Sequence, residues 1–402
     1  MHISSPIFES TEDFINYETV VSSKKHTNQK LYFTVEKRYA HMVSESCDAP
    51  LVGLLLPAMY YGENMYIDGE VTEELLWSLN NSYQILLLTS LPFLNKISIT
   101  AKKTITAETI VTGVAMGFSG GIDSFYTLTQ HLSSDNIPET LRLTHLLFNK
   151  VGSHGKRNED LFNERFSELS GITKHTGLPF IKINSNLDLF YNGDLNYQRT
   201  HTIRNAAVAH LLSKAVRTYL YSSGVPFHDI QLIPAHKKIA DMAYYDPIAL
   251  PYLGHEGLRI LSAGAYVDRA QKTHAVTKNP SSHELLNVCT KTAKNCSICS
   301  KCMQTQFALE IEGCLESYSK VFDLTAYKKA KTKWLPQLYL DKGALKMALK
   351  KNAREKRVSF PVSTYIQLPL VIVSKTPEYI RTAFKRKVKR IKWAIRKRRD
   401  NV

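Results

Sequence analysis

The spacing of apolar and polar positions divides the chain into three stretches. In the middle one, short β-branched apolar runs alternate with longer stretches whose apolar residues recur every three or four positions, as strands followed by helices do. Thr109 to Val114, Thr144 to Phe148, Phe180 to Ile183, Thr218 to Ser222 and Arg259 to Ser262 read as strands. Phe125, Leu128 and Leu132 predict a helix after the first strand. Apolar positions 161, 162, 166 and 169 predict a second over 158–169, and Ile203 to Val216 a third. Such alternation predicts a doubly wound parallel sheet with helices on both faces, whose ligands bind beyond the carboxyl ends of the strands. Ser119, Asn149, Ser185 and Gly224 fall at those ends.

The flanks differ. Residues 1–108 mix strands (Lys30 to Val35, Ile85 to Thr89, Lys96 to Ile99) with a buried apolar run, Leu51 to Tyr61, and a short helix, Thr72 to Leu79, as in a small α/β accessory domain. After about residue 318 the alternation stops. Trp334 to Lys350 reads as a helix and Thr364 to Ser374 holds apolar runs. Ile380, Phe384, Val388, Ile391 and Ile395 then fall within an arc of about 80° on a helix whose other faces are largely Lys and Arg. The expected organisation is an accessory domain (1–108), a central α/β domain (109–318) and a helical extension ending in a basic amphipathic helix (319–402).

At 402 residues and 44% hydrophobic, the chain can build a sizeable core. Leu51 to Tyr61 and Ile85 to Leu94 are too short to span a bilayer. Met1 to Phe14 carries no signal-peptide pattern, so a cytoplasmic protein is expected. The net charge of +16 is uneven: from Thr376 to Val402 there are eleven Lys/Arg against two acids. Such a tail suits an anionic membrane surface, docking on the protein's own body or, less well, RNA.

The chemistry concentrates in two places. The first is Phe118-Ser119-Gly120-Gly121-Ile122-Asp123-Ser124, where a strand turns into a helix. Two glycines let the backbone approach an anion, the first free N–H groups of the helix point at it, and Ser119 and Ser124 add hydroxyls. Asp123 would repel a bare phosphate, which implies a magnesium ion between them. The second is Cys289-x6-Cys296-x2-Cys299-x2-Cys302. Thiolates at this spacing can enclose a tetrahedral zinc with no open position, so the metal would be structural. A redox pair and an iron–sulfur cluster are the alternatives. Cys47 and Cys314 read as core thiols. His154, His201, Arg204, Asp246, Glu256, Arg259, Arg269 and Lys272 are polar residues placed within reach of the strand ends.

Ser119-Gly120-Gly121-Ile122-Asp123-Ser124 resembles the SGGxDS loop of the PP-loop ATP pyrophosphatases, and the cysteine spacing after it resembles the 7-cyano-7-deazaguanine synthase-like branch. The resemblance covers roughly half the chain. It implies an adenine nucleotide α-hydrolase-like (HUP-type) fold with ATP, Mg2+ and Zn2+ as cofactors. Phe118 to Ser124 would hold the nucleotide's pyrophosphate, Asp123 and Ser124 would act in catalysis, and the adenine would lie near Phe148. The implied reaction is adenylation of a carboxylate or carbonyl oxygen, with pyrophosphate and AMP released. Amide or nitrile formation on a small molecule or an envelope or polysaccharide precursor would come next. Similar loops serve muramyl-peptide epimerisation and tRNA thiolation, and a nucleotide-binding protein without turnover is the non-enzymatic alternative. The N-terminal region, the basic extension and the lack of a recognisable deazapurine pocket depart from that branch.

Overall fold

The computed structural model describes residues 1–107, 111–132, 136–153, 155, 158–232, 241–372 and 386–388. Residues 1–295 form one compact unit and 296–402 a second.

The first unit is built on a single eleven-stranded sheet. In chain order its strands are β1 (His2–Ile3), β2 (Ile7–Ser10), β3 (Phe14–Ser22), β4 (Gln29–Glu36), β5 (Met65–Thr72), β6 (Ile99–Ile105), β7 (Gly113–Gly117), β8 (His145–Lys150), β9 (Phe180–Ser185), β10 (Val216–Ser222) and β11 (Arg259–Ala263). Across the sheet they run β11-β10-β7-β8-β9-β4-β3-β1-β5-β6, with β2 on β3. The neighbours from β11 to β9 are all parallel. From β7 the chain winds one way through β8 and β9, then returns to β7's other side for β10 and β11. That reversal opens a crevice at the carboxyl ends of β7 and β10, where doubly wound sheets bind ligands.

The expected strands at β8 to β11 are present, but the region before residue 108 does not stand apart. Strand β4 pairs antiparallel with β9, Phe33 opposite Ser185 and Val35 opposite Ile183. The N-terminal strands therefore extend the central sheet, and the boundary expected at 108 falls inside one compact unit.

Its helices are α1 (Asp48–Tyr61), α2 (Glu73–Ser78), α3 (Gln84–Ser90), α4 (Ile122–His131), α5 (Glu159–Leu169), α6 (Ile172–Thr176), α7 (His201–Leu211), α8 (Asp246–Ala249), α9 (Arg269–Thr277) and α10 (Pro280–Leu285). The apolar run read from sequence is α1, buried from Asp48 to Met59. A helix apolar on every side must be enclosed, and α1 packs against α7. Gly53 makes this possible, since a Cβ there would meet Leu187 at 3.1 Å and Ala207 at 3.4 Å.

Ile85 to Thr89, expected as a strand, lies in α3. Four apolar residues in a row carry no period, and Gln84 settles the matter by hydrogen-bonding both the N–H and the carbonyl of Ile97. Strand β6 accordingly begins at Ile99, not Lys96, and β7 at Gly113. The second unit holds α11 (Ser300–Ile311), α12 (Leu324–Leu340) and α13 (Ala344–Glu355). The helix expected over Trp334 to Lys350 is thus two, broken at Asp341–Gly343, where the Asp341 side chain accepts from the Gly343 N–H at 2.8 Å. Of the expected tail stripe, Ile380, Phe384, Ile391 and Ile395 lie outside the described residues.

Strand β7 has no room to spare at its start: a Cβ on Gly113 would stand 2.1 Å from the Ala215 carbonyl oxygen. Gly113→Ala should therefore lower stability by about 1–3 kcal/mol, the cost of overpacking a core site. Denaturant unfolding would measure this, and because Gly113 is not among the glycines with positive φ the loss reports the steric contact rather than backbone strain.

Candidate functional site

The serine–glycine loop leaves β7 at the switch point and enters α4. Phe118 and Ile122 are buried and anchor it; the Phe118 N–H donates to the Leu147 carbonyl at 2.8 Å. Gly120 takes φ +73°, and a Cβ there would lie 2.6 Å from Leu169, so glycine is required for both conformation and space. The Gly120 carbonyl accepts from the Asn287 N–H at 2.7 Å. Ser124 Oγ donates to the Gly121 carbonyl at 2.9 Å and lies 3.3 Å from Ser119 Oγ. Ser119 is exposed and Ser124 buried. The first-turn N–H groups of α4 have no intrahelical acceptor and end beside these hydroxyls. Backbone, hydroxyls and helix dipole make this an anion-binding turn in form.

Asp123, on the first turn of α4, faces two cations from α9. Its Oδ2 pairs with the Arg269 guanidinium, and its Oδ1 lies 3.4 Å from Lys272 Nζ. Lys272 is buried and also donates to the Ser223 carbonyl at 2.5 Å. Burial pushes the Asp123 carboxyl up, but Arg269 and Lys272 outweigh it and hold the pKa below the usual carboxylate value. Burial lowers the Lys272 ammonium, opposed by Asp123. Each carboxylate oxygen thus already serves a cation. This does not fit a resident magnesium at Asp123, which the sequence led us to expect. Arg269 and Lys272 are the basic residues that the structure brings to the loop.

The other sequence candidates divide. Arg204 is buried, stacked on Tyr191 at 3.6 Å, and donates to Thr200 Oγ1 and the Val151 carbonyl, so it holds structure. Arg259 opens β11, at the end of that strand away from the crevice. The Glu256 N–H donates to the Glu74 carboxylate. Phe148 is buried, stacked on Phe162 with ring centres 5.2 Å apart and edge-on to Phe180, which leaves its ring no open face for an adenine. His154 lies outside the described residues.

His201 belongs to a network that sequence reasoning missed. It opens α7, with Nδ1 2.5 Å from Tyr221 Oη and Nε2 3.0 Å from Asp241 Oδ1. Thr202 donates to Asp246 Oδ1 at 2.6 Å, and Asp246 Oδ2 is buried without a hydrogen-bond partner. Burial pushes the Asp246 carboxyl up to about 7, against the pull of His201. Tyr221 lies one residue beyond Leu220, the partner of Met116, so the network sits at the carboxyl end of β10 beside β7. These residues come from separate elements, and no spacing in the chain could have joined them.

The cysteine cluster forms as read. Ligand atoms of Cys289, Cys296, Cys299 and Cys302 lie within 4.8 Å of one another, near the separation of about 3.8 Å that four sulfurs take around a zinc. The Lys291 N–H lies 3.4 Å from Cys289 Sγ and the Cys299 N–H 3.3 Å from Cys296 Sγ. Cys302 lies in the first turn of α11. Arg165 fixes the loop by donating to the Cys289 and Thr292 carbonyls. The donor set fits a four-thiolate metal ion such as zinc. Cys47 is a core thiol, pushed up to about 12 by burial.

A second buried trio, Asp48, His210 and His255, also brings ligand atoms within 4.8 Å. Here the tautomers decide. The His210 Nε2–H donates to the Leu253 carbonyl at 2.7 Å, leaving Nδ1 as acceptor. His255 Nδ1 accepts from the Gly257 N–H at 3.1 Å, so neutral His255 carries its proton on Nε2. One donor facing two acceptors suits a water molecule better than a cation.

Together, the fold and the loop define a doubly wound α/β protein with a serine–glycine turn of anion-binding form at its switch point. The chain matches no protein-family model, and neither a curated protein nor a solved structure is significantly similar to it.

Metal analysis of the purified chain should find one zinc, and Cys299→Ser should lower the melting temperature markedly, because a closed thiolate site contributes to folding. A preparation without metal, or one containing iron with visible absorbance, would contradict this. A carboxyl raised to about 7 binds a proton in the folded state that the unfolded chain releases near its ordinary 3.8. Its contribution to stability therefore falls as pH rises between those values. Asp246→Asn should gain stability relative to the unsubstituted chain from pH about 4 to about 7 and hold that difference above, as read by thermal melts.

Proposed function

We propose that the chain is an AMP-forming, ATP-dependent enzyme acting in the cytoplasm. The observation that carries this reading is the Ser119–Ser124 turn at the switch point, with Arg269 and Lys272 beside it. ATP is the polyphosphate that the resemblance of this loop implies. The loop N–H groups and the Ser119 and Ser124 hydroxyls hold its β- and γ-phosphates. A substrate carboxylate or carbonyl oxygen attacks the α-phosphorus. The bond from that phosphorus to the bridging oxygen breaks, and pyrophosphate leaves with the electron pair. Charge grows on the departing oxygens, where preorganised cations are most effective. Arg269 and Lys272 supply them, and Asp123 positions both in the absence of nucleotide. Ammonia or another nucleophile then attacks the activated carbon, and AMP departs with the original oxygen.

Thiolation fits less well. It needs a reactive thiolate, and the Cys47 thiol is buried and pushed up to about 12, while four of the other cysteines share the metal-type cluster. Adenylation that drives epimerisation would use the same loop and differs only in the fate of the activated carbon.

Pyrophosphate release from ATP with pooled cell metabolites tests the reading, and a chain that binds ATP without releasing pyrophosphate would overturn it. Lys272→Met should lower that release by about two orders of magnitude or more, the usual effect of losing one transition-state charge donor, with nucleotide binding weakened less. Asp123→Ala, which removes the group that positions both cations, should lower release by a smaller factor. Turnover of either variant at the unsubstituted rate would remove this loop from the chemistry.

A further inference from the structure

Residues 362–372 are helical and contain no charged side chain. The helix is held on one side: Thr364 is buried, Gln367, Leu368 and Val371 are half-buried, and Tyr365 packs edge-on against Tyr339 with ring centres 5.5 Å apart. The opposite side is bare. Val362, Ile366 and Leu370, at successive i, i+4 positions, are 74%, 70% and 72% exposed. With Pro369, these residues cover about 100° of the helix surface. A contiguous apolar face of this kind marks a surface that something covers.

Charge says what that is. Residues 1–295 hold 27 Lys/Arg against 28 acids, whereas 296–402 hold 25 against eight. All of the chain's positive excess therefore lies in the unit that carries the bare face, and eleven of those cations come after Thr376. A second copy of so basic a unit would be repelled. A nucleic acid would answer the charge but offers no apolar surface to Val362, Ile366 and Leu370. Anionic lipid offers both, since acyl chains accept the apolar face while headgroups neutralise the lysines and arginines.

We propose that residues 362–372 are a lipid-docking helix that attaches the chain peripherally to anionic membrane surfaces. The face enters the headgroup boundary and the net positive charge of residues 296–402 sets the preference for anionic lipid. No helix among the described residues is long and apolar enough to span a bilayer.

Vesicle co-sedimentation of the full chain tests this with two compositions, phosphatidylcholine alone and phosphatidylcholine mixed with phosphatidylglycerol. The chain should bind the mixed vesicles and release from them in high salt, and it should bind phosphatidylcholine at least about tenfold more weakly, because each basic residue near an anionic leaflet is worth roughly a fivefold change. Ile366→Asp combined with Leu370→Asp should lower binding to mixed vesicles by about tenfold or more, with the melting temperature in solution unchanged. Full-strength binding by that variant would overturn the proposal, as would a wild-type chain that ignores mixed vesicles at low salt. A marked loss of thermal stability in the variant would also overturn it, because the face would then be covered by the chain itself. So would binding of RNA in place of vesicles, undiminished by the two substitutions.

Discussion

The architecture turns on how closely strand β7 is approached. On one side the Ala215 carbonyl leaves no space for a Cβ at Gly113. At the strand's other end a Cβ on Gly117 would stand 3.0 Å from the Tyr219 hydroxyl, and one on Gly120 would strike Leu169. Three glycines in eight residues let β10, α5 and the loop close on a strand that has parallel neighbours on both sides. Because the chain reverses its winding at this strand, the same close approach that stabilises the sheet centre also places the loop's N–H groups at the crevice. Packing and the placement of the loop are two consequences of one constraint.

The electrostatics of the crevice derive from it. A turn that presents N–H dipoles is locally positive, and two basic residues of α9 add to that field. Without a counter-charge, Lys272 would be a buried ammonium facing like charge, a costly arrangement. Asp123 removes that cost from within the loop. Under the proposed function, its carboxylate is the anion that would hold these two cations in place before nucleotide binds. This role requires Asp123 to lie on the first turn of the helix, where α9 can reach it, and it explains an acid in an anion-binding turn without recourse to a metal.

Much of this was legible in the chain. The five parallel strands, the loop and the four-cysteine spacing are each specified by residues within about a dozen positions, the range over which period and motif carry information. What was lost is what depends on distant pairing. Nothing in Lys30 to Val35 says that it will pair with Ile183 to Ser185, so a continuous sheet looked like two domains. Ile85 to Leu88 is an apolar run with no period, and it lies in a helix whose Gln84 bonds the distant Ile97 backbone. Phe148 stands at a strand end, as an adenine contact should, but α5 brings Phe162 onto its face. Arg204 lies near the start of α7, where it could have been free to meet an anion, yet it lies against Tyr191 because Gly152 leaves room for its guanidinium.

The buried network around Asp246 raises the question of what a fold gains by keeping such a group. A carboxyl with an unpartnered oxygen, close to a histidine and a tyrosine, is destabilising where it stands. Core packing alone would be better served by an apolar side chain of similar volume. Its position at the carboxyl end of β10, beside β7, places that cost in the crevice. A carboxyl raised to about 7 can both accept and return a proton near neutrality, as the amine attack in the proposed reaction would require. Thr202 and His201 link it by hydrogen bonds to half-buried Asp241. The strain in the network is thus located where acid–base chemistry would use it.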